Sequence, residues 1–296
     1  MEKSQEKNQE KVQFFSRVLF YLSERPIHLE FREIWYIFRF EFKRLIFTIK
    51  FFIALSLVLL PAVIFLNSIS SDYEALILDM GIAKFQKFCA SGFTIIGQFL
   101  LQMIGIMLVL DGFGKSANDS MNRYFALPVR KANIFRGHLL AVISGVIITG
   151  ILGIIIFDLI LWIWTGVSIT FILMIKAFFL TIIGALLAIM ITLLFIIIAN
   201  FFNFSSSIAI IPTLFLFYII PFLVNFVTQF VYSVPKAYEW TFMYHLAVIT
   251  DFWIQPQNGL QTILDWKAKR RAWLIISLIA YQSELYSMLI FTNSEK

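Results

Sequence analysis

A chain of 296 residues that is 60% hydrophobic and only 14% charged is far from a soluble domain, in which about a quarter of residues are charged. Its length suits roughly six helical membrane spans and leaves no room for a soluble enzyme domain beside them. The net charge of +6 does not mark a nucleic-acid binder: fifteen of the 24 Lys and Arg lie before residue 51 or between 115 and 136, where they read as orientation signals beside anionic lipid.

Residues 1–11 form a charged tail with nothing to bury, and the N-terminal region lacks the early apolar core of a removable signal peptide. Val12 to Leu22 is short and amphipathic. From Ile27 to Ile46, after Pro26, the residues Ile27, Phe31, Ile34, Trp35, Phe38, Phe42 and Leu45 fall on one helical face, with Arg32, Arg39, Lys43 and Arg44 on its flank and back. A helix this charged does not span. It is expected to lie in the headgroup plane, so that residues 1–50 make a cytosolic tail and an interfacial helix.

Six spans are expected over 51–71, 88–110, 139–164, 172–199, 208–231 and 272–291, giving an all-α membrane protein with short outer helices between spans five and six and a cytosolic tail over 292–296. Asp72 to Lys87 reads as an outer loop with a small apolar patch, Leu76, Ile77, Leu78, Ile82 and Phe85. Asn200, Asn203 and Ser205 to Ser207 mark the inner turn between spans four and five. In span five Pro212 falls in the first turn, and Pro221 should kink its middle. The basic run Lys267 to Arg271 is expected on the outer side, against the positive-inside bias.

Two intramembrane carboxyls, Asp158 and Glu284, are the path-lining candidates, since ionisable groups at membrane depth are costly unless used. For Asp158 the better reading is that it snorkels outward, whereas Glu284 reads equally as a path-lining group or as a protonated carboxyl hydrogen-bonded to a neighbouring helix. Chemistry is otherwise sparse. Gly112-Phe113-Gly114-Lys115-Ser116 ends like a phosphate-binding loop, but the required first glycine is Val109. His28, His138 and His245 have no carboxylate at ligand spacing, and Cys89 is the one cysteine, so neither a metal site nor a catalytic residue is expected. The polar residues of the spans read as isolated.

The most informative stretch is the polar loop from Asp111 to Gly137, which must lie in water and, by its charge, on the cytoplasmic side. Met121, Tyr124, Phe125 and Leu127 give a short helix an apolar side, Pro128 stops it, and Arg130, Lys131 and Arg136 follow as a basic cluster. At Asp119, Ser120-Met121, Phe125, Leu127, Pro128-Val129, Lys131, Ile134 and Gly137-His138 this loop resembles that of ABC-2 type permeases, the membrane subunits of ATP-binding-cassette exporters. The chain departs from that pattern with Met121 and Tyr124-Phe125 at leucine positions and His138 for a lysine. The likeness implies that Met121, Tyr124, Phe125, Leu127, Pro128, Arg130 and Lys131 form a coupling helix and contact for a separate ATPase. It also implies that ATP and Mg bind that partner and not this chain, that a second permease copy completes the assembly, and that the protein sits in the cell membrane with both termini cytoplasmic. A non-transporting scaffold or sensor and a membrane-embedded lipid-modifying enzyme are the alternatives.

Overall fold

The computed structural model describes residues 27–48, 51, 52, 56, 63, 64, 67, 73–114, 129–223 and 261–293. Among these, the regular elements are all helical, and five helices are long and apolar enough to cross a membrane. The elements are α1 (Ile27–Ile46), α2 (Tyr73–Met80), α3 (Ile82–Phe113), α4 (Lys131–Thr165), α5 (Phe171–Phe201), α6 (Ser206–Leu223) and α7 (Gln261–Asn293). Their composition explains why they must be helices: apolar stretches of this length in lipid have no water to serve N–H and C=O groups, so the backbone bonds itself.

The helix α5 is the central one. It packs on α3 along most of its length and also touches α4, α6 and α7. Small residues make the α3–α5 approach close. A Cβ on Gly105 would stand 2.9 Å from Ile189 Cγ1, and one on Gly184 would stand 2.3 Å from Gln98 Nε2, so neither position has room for a side chain. Two apolar clusters mark the ends of the bundle. The proximal one joins Leu45 of α1 to Leu108, Phe113, Phe135, Val142 and Ile196. The distal one joins Phe85, Cys89, Phe157, Leu161, Ala272 and Ile276. Consequently α1 and α2 sit at opposite ends of α3. The described positions between them, Phe51, Phe52, Ser56, Val63, Ile64 and Asn67, are all helical.

Both chain reversals are locked by side chains. At the distal end α4 stops at Gly166, whose φ of +70° is the left-handed cap that favours glycine. Asp158 then accepts hydrogen bonds from the Ser168 hydroxyl (2.8 Å) and the Ile169 N–H (2.7 Å). Gln86 of α3 donates to Ser168 O at 2.6 Å. At the proximal end Asn200 donates to Phe113 O and accepts from Ser206, while Asn203 takes φ +59° to turn the chain into α6. This is the turn expected from Asn200, Asn203 and Ser205 to Ser207.

Several sequence expectations are corrected. The stretch expected as an outer loop over Asp72 to Lys87 is α2 and the first turns of α3, broken only at Gly81 (φ +76°), because Leu76, Ile77 and Phe85 pack into the distal cluster. The third helix of the expected set starts at Lys131, not near 139. Its 35 residues extend about 52 Å at 1.5 Å per residue, longer than a hydrocarbon core of about 30 Å, and its first turns are buried through Ile134, Phe135 and His138. They hold helical geometry because α1 packs against them. Likewise α7 begins at Gln261, which puts the basic run 267–271 on a helix. Arg270 and Arg271 lie at the distal end, opposite Arg44 and Arg130. The outer helices expected between spans five and six lie outside the described residues.

Candidate functional site

The start of α4, where α1 packs, is where charge concentrates. Glu30, Glu33, Ile37, Glu41 and Arg44 recur every three to four residues, which places them on one stripe of α1. At the start of α4, Arg130, Asn133 and Gly137 do the same, with His138 next to Gly137. Glu30 pairs with Arg130, Glu33 accepts from Asn133 Nδ2 at 2.7 Å, and Ile37 seats on the bare backbone of Gly137. These three contacts keep one offset, 100 residues, over two helical turns. Only helices running side by side in the same direction can do that. The helix α1 is therefore a companion of the start of α4 over these turns.

Deeper along the same stripe is a buried charge cluster. Glu41 is fully buried; Arg44 Nε donates to its Oε2 at 2.6 Å, and His138 Nδ1 lies 3.5 Å from the same oxygen. Arg44 also donates to Asp111 O at 3.1 Å, tying α1 to the last turn of α3. His138 packs its ring against Phe113. A carboxylate out of water is tolerable only with such a partner, and the arginine fork supplies it. The expectation that His138 has no carboxylate near it is thus corrected: Glu41 is distant in sequence and adjacent in space.

The charges of α1 are sorted. Its acids point at α4, whereas Arg32, Arg39 and Lys43 are exposed between Phe31, Trp35, Tyr36 and Phe40. Phe31 and Trp35, expected on the apolar face, are therefore outside the contact with α4, and the buried edge is Ile37 and Leu45 with Glu41 between them. Aromatic and cationic side chains side by side suit a headgroup layer.

A second polar group lies inside the bundle. Gln102 Nε2 donates to Gly184 O at 3.3 Å, and the Tyr218 hydroxyl donates to Gln102 Oε1 at 2.8 Å. Gln98, one turn away on α3, lies against Gly184. Three helices thus meet through amide and phenol groups, which corrects the reading of the span polar residues as isolated. Tyr218 belongs to a π turn, Phe215–Ile219, which ends two residues before Pro221.

The proposed coupling residues Met121, Tyr124, Phe125, Leu127 and Pro128 lie outside the described residues. Arg130 and Lys131 open α4, and Arg130 is engaged by Glu30. Of the two path-lining candidates, Asp158 fastens the distal turn. Glu284 is half-buried on α7, about two turns beyond Ile276, which packs at the level of Phe157, so the fold does not bring the two carboxyls together. Gly112 and Phe113 form the last turn of α3 rather than an open loop. Among the described residues no group of three or more His, Cys, Asp or Glu could hold a metal ion.

Sequence reasoning missed Glu41, Gln98, Gln102 and Tyr218. Gln98 and Gln102 stand four apart between Gly97 and Gly105 in a charge-free run, a signal that both face a close neighbour. In comparisons with known proteins, no family model and no curated protein matches the chain.

Proposed function

We propose that the chain is the membrane-spanning permease subunit of an ATP-driven transporter, an exporter, worked by a separate cytosolic ATPase that docks on the loop between α3 and α4. One observation carries the reading. The two helices that flank this loop are both bound to α1, α4 through Glu30–Arg130, Glu33–Asn133 and Gly137, and α3, further along α1, through Arg44 to Asp111 O. A push on residues 115–128 therefore moves three helices as one body, which is what a rocking-bundle transporter needs from its coupling element.

In this reading the α1 end faces the cytoplasm, residues 51–71 supply a sixth crossing between the α1 and α2 ends, and a second permease copy completes the assembly in the cell membrane. Glu284 stays a path-lining candidate; Asp158 is a turn fastener. Tyr124 and Phe125 are the docking anchors. Truncating a central aromatic anchor costs about 2 kcal/mol or more, so Phe125→Ala should weaken ATPase association by roughly tenfold or more. The measurement is co-purification of the ATPase with tagged permease from membranes, together with ATP-dependent flux in vesicles. Retention of full ATPase by both Phe125→Ala and Tyr124→Ala would sink the docking model.

A further inference from the structure

The amide pair on α3 is half used. Gln102 is satisfied at both ends, by Gly184 O and by Tyr218. Gln98 is 6% exposed, and its Nε2 finds no acceptor among the described residues. A buried donor left unpaired is a standing cost, and an apolar side chain there would remove it. The two amides lie on one face of α3, roughly 6 Å apart along its axis, four residues at 1.5 Å each. Both rest on the same backbone, that of Gly184.

The partner they share is on the irregular part of α6. Tyr218 sits in the π turn, where the Ile220 N–H reaches back five residues to Phe215 O. Pro221 follows, with no N–H to offer the α-helical register. A π turn is a hydrogen-bond register that α-helix can replace, and such turns concentrate at functional sites. The start of α6 is anchored, because Ser206 bonds Asn200 and Phe204 N–H bonds Ala199 O. Movement in α6 is thereby confined to the half from the π turn onward, whose Phe222 and Leu223 are exposed.

We infer that Tyr218 is a two-position latch between α6 and α3. In the conformation described, its hydroxyl donates to Gln102 Oε1. In the second, the outer half of α6 shifts toward the distal end, and Gln98 Nε2 donates to the Tyr218 oxygen. Each position satisfies one amide through the phenol, and the intervening ones satisfy neither, so the helix has two stable settings rather than a continuous slide. The inference rests on the geometry of α3, α5 and α6 alone and holds whether or not an ATPase drives the exchange.

The test uses the full chain in lipid nanodiscs, with Cys89→Ala and spin labels at Ile95 on α3 and Phe222 on α6, both exposed. Gln102→Met should move the label-to-label distance by several ångströms, at most about the 5.4 Å of one turn. Gln98→Met should keep the wild-type distance. Adding Gln98→Met or Tyr218→Phe to Gln102→Met should abolish the moved population. If Gln102→Met does not fold, Gln102→Asn, with its shorter reach, takes its place. A distance distribution unchanged by loss of the Gln102 amide overturns the latch. So does a shift that survives removal of Gln98 or of the Tyr218 hydroxyl, because the second position would then not involve them.

Discussion

Gly137 is the point on which the α1–α4 contact is most exposed to test. A Cβ there would stand 2.7 Å from Ile37 Cγ2, 2.8 Å from Ile37 Cβ and 3.2 Å from Ile34 O. Neither the Ile37 Cβ nor the Ile34 backbone can swing away, so Gly137→Ala must push α1 outward by about 0.7 Å to restore ordinary van der Waals contact at 3.4 Å. A gap of about 0.5–1 Å forfeits a quarter to a half of the dispersion energy of each affected contact. It would also stretch the 2.7 Å bond from Asn133 to Glu33 beyond useful length. Overpacking of this kind costs about 1–3 kcal/mol, and the better helix propensity of alanine returns up to about 1 kcal/mol. We therefore predict a net loss of about 1–2 kcal/mol, or roughly 2–8 °C in Tm at 2–4 °C per kcal/mol. The assay is built into the chain: Cys89 is its one cysteine and is buried, so a thiol-reactive dye reports unfolding on heating. Gly112→Ala is the control, because its Cβ would meet only the tip of Val142 at 3.1 Å, and its Tm should match or exceed wild type. A Gly137→Ala protein as stable as Gly112→Ala would refute the close α1–α4 contact.

Glu41→Ala should destabilise the protein far more than Glu30→Ala. The first removes a fully buried carboxylate and its charged hydrogen bond from the partly exposed Arg44, a loss of about 1.5–3 kcal/mol, whereas the second removes a partly exposed pair of the class contributing about 0–1 kcal/mol; equal Tm values for the two would contradict the buried cluster. In a Cys89→Ala background, Lys43→Cys and Ser168→Cys, both exposed and at opposite ends of the bundle, should label from opposite sides of intact cells, Lys43→Cys from the cytoplasm. Labelling from one side would overturn the orientation.

What the sequence determined by itself is the class of solvent and the scale of the elements. Charge-free runs long enough to cross hydrocarbon can only be helices, and the apolar intervals around Ala141, Ala188 and Ala280 each became one. A turn was readable where local chemistry makes it, at Asn200, Asn203 and the serines of the proximal reversal.

Tertiary structure alone decided which polar residues share a site. Glu41 and His138 are nearly a hundred positions apart, and Gln102 and Tyr218 more than a hundred, so no periodicity within one helix can pair them. The same holds for the face of α1: its aromatic and cationic residues fit either a lipid headgroup layer or a protein groove, and only the acids bonded to Arg130, Asn133 and Arg44 show which edge meets α4. In a chain that is apolar on every side of its spans, hydrophobic pattern carries little information about rotation, because lipid and a neighbouring helix look alike to a leucine. Contacts then depend on where small residues let backbones close, at Gly105, Gly137 and Gly184, and on which buried polar groups can find each other once they do.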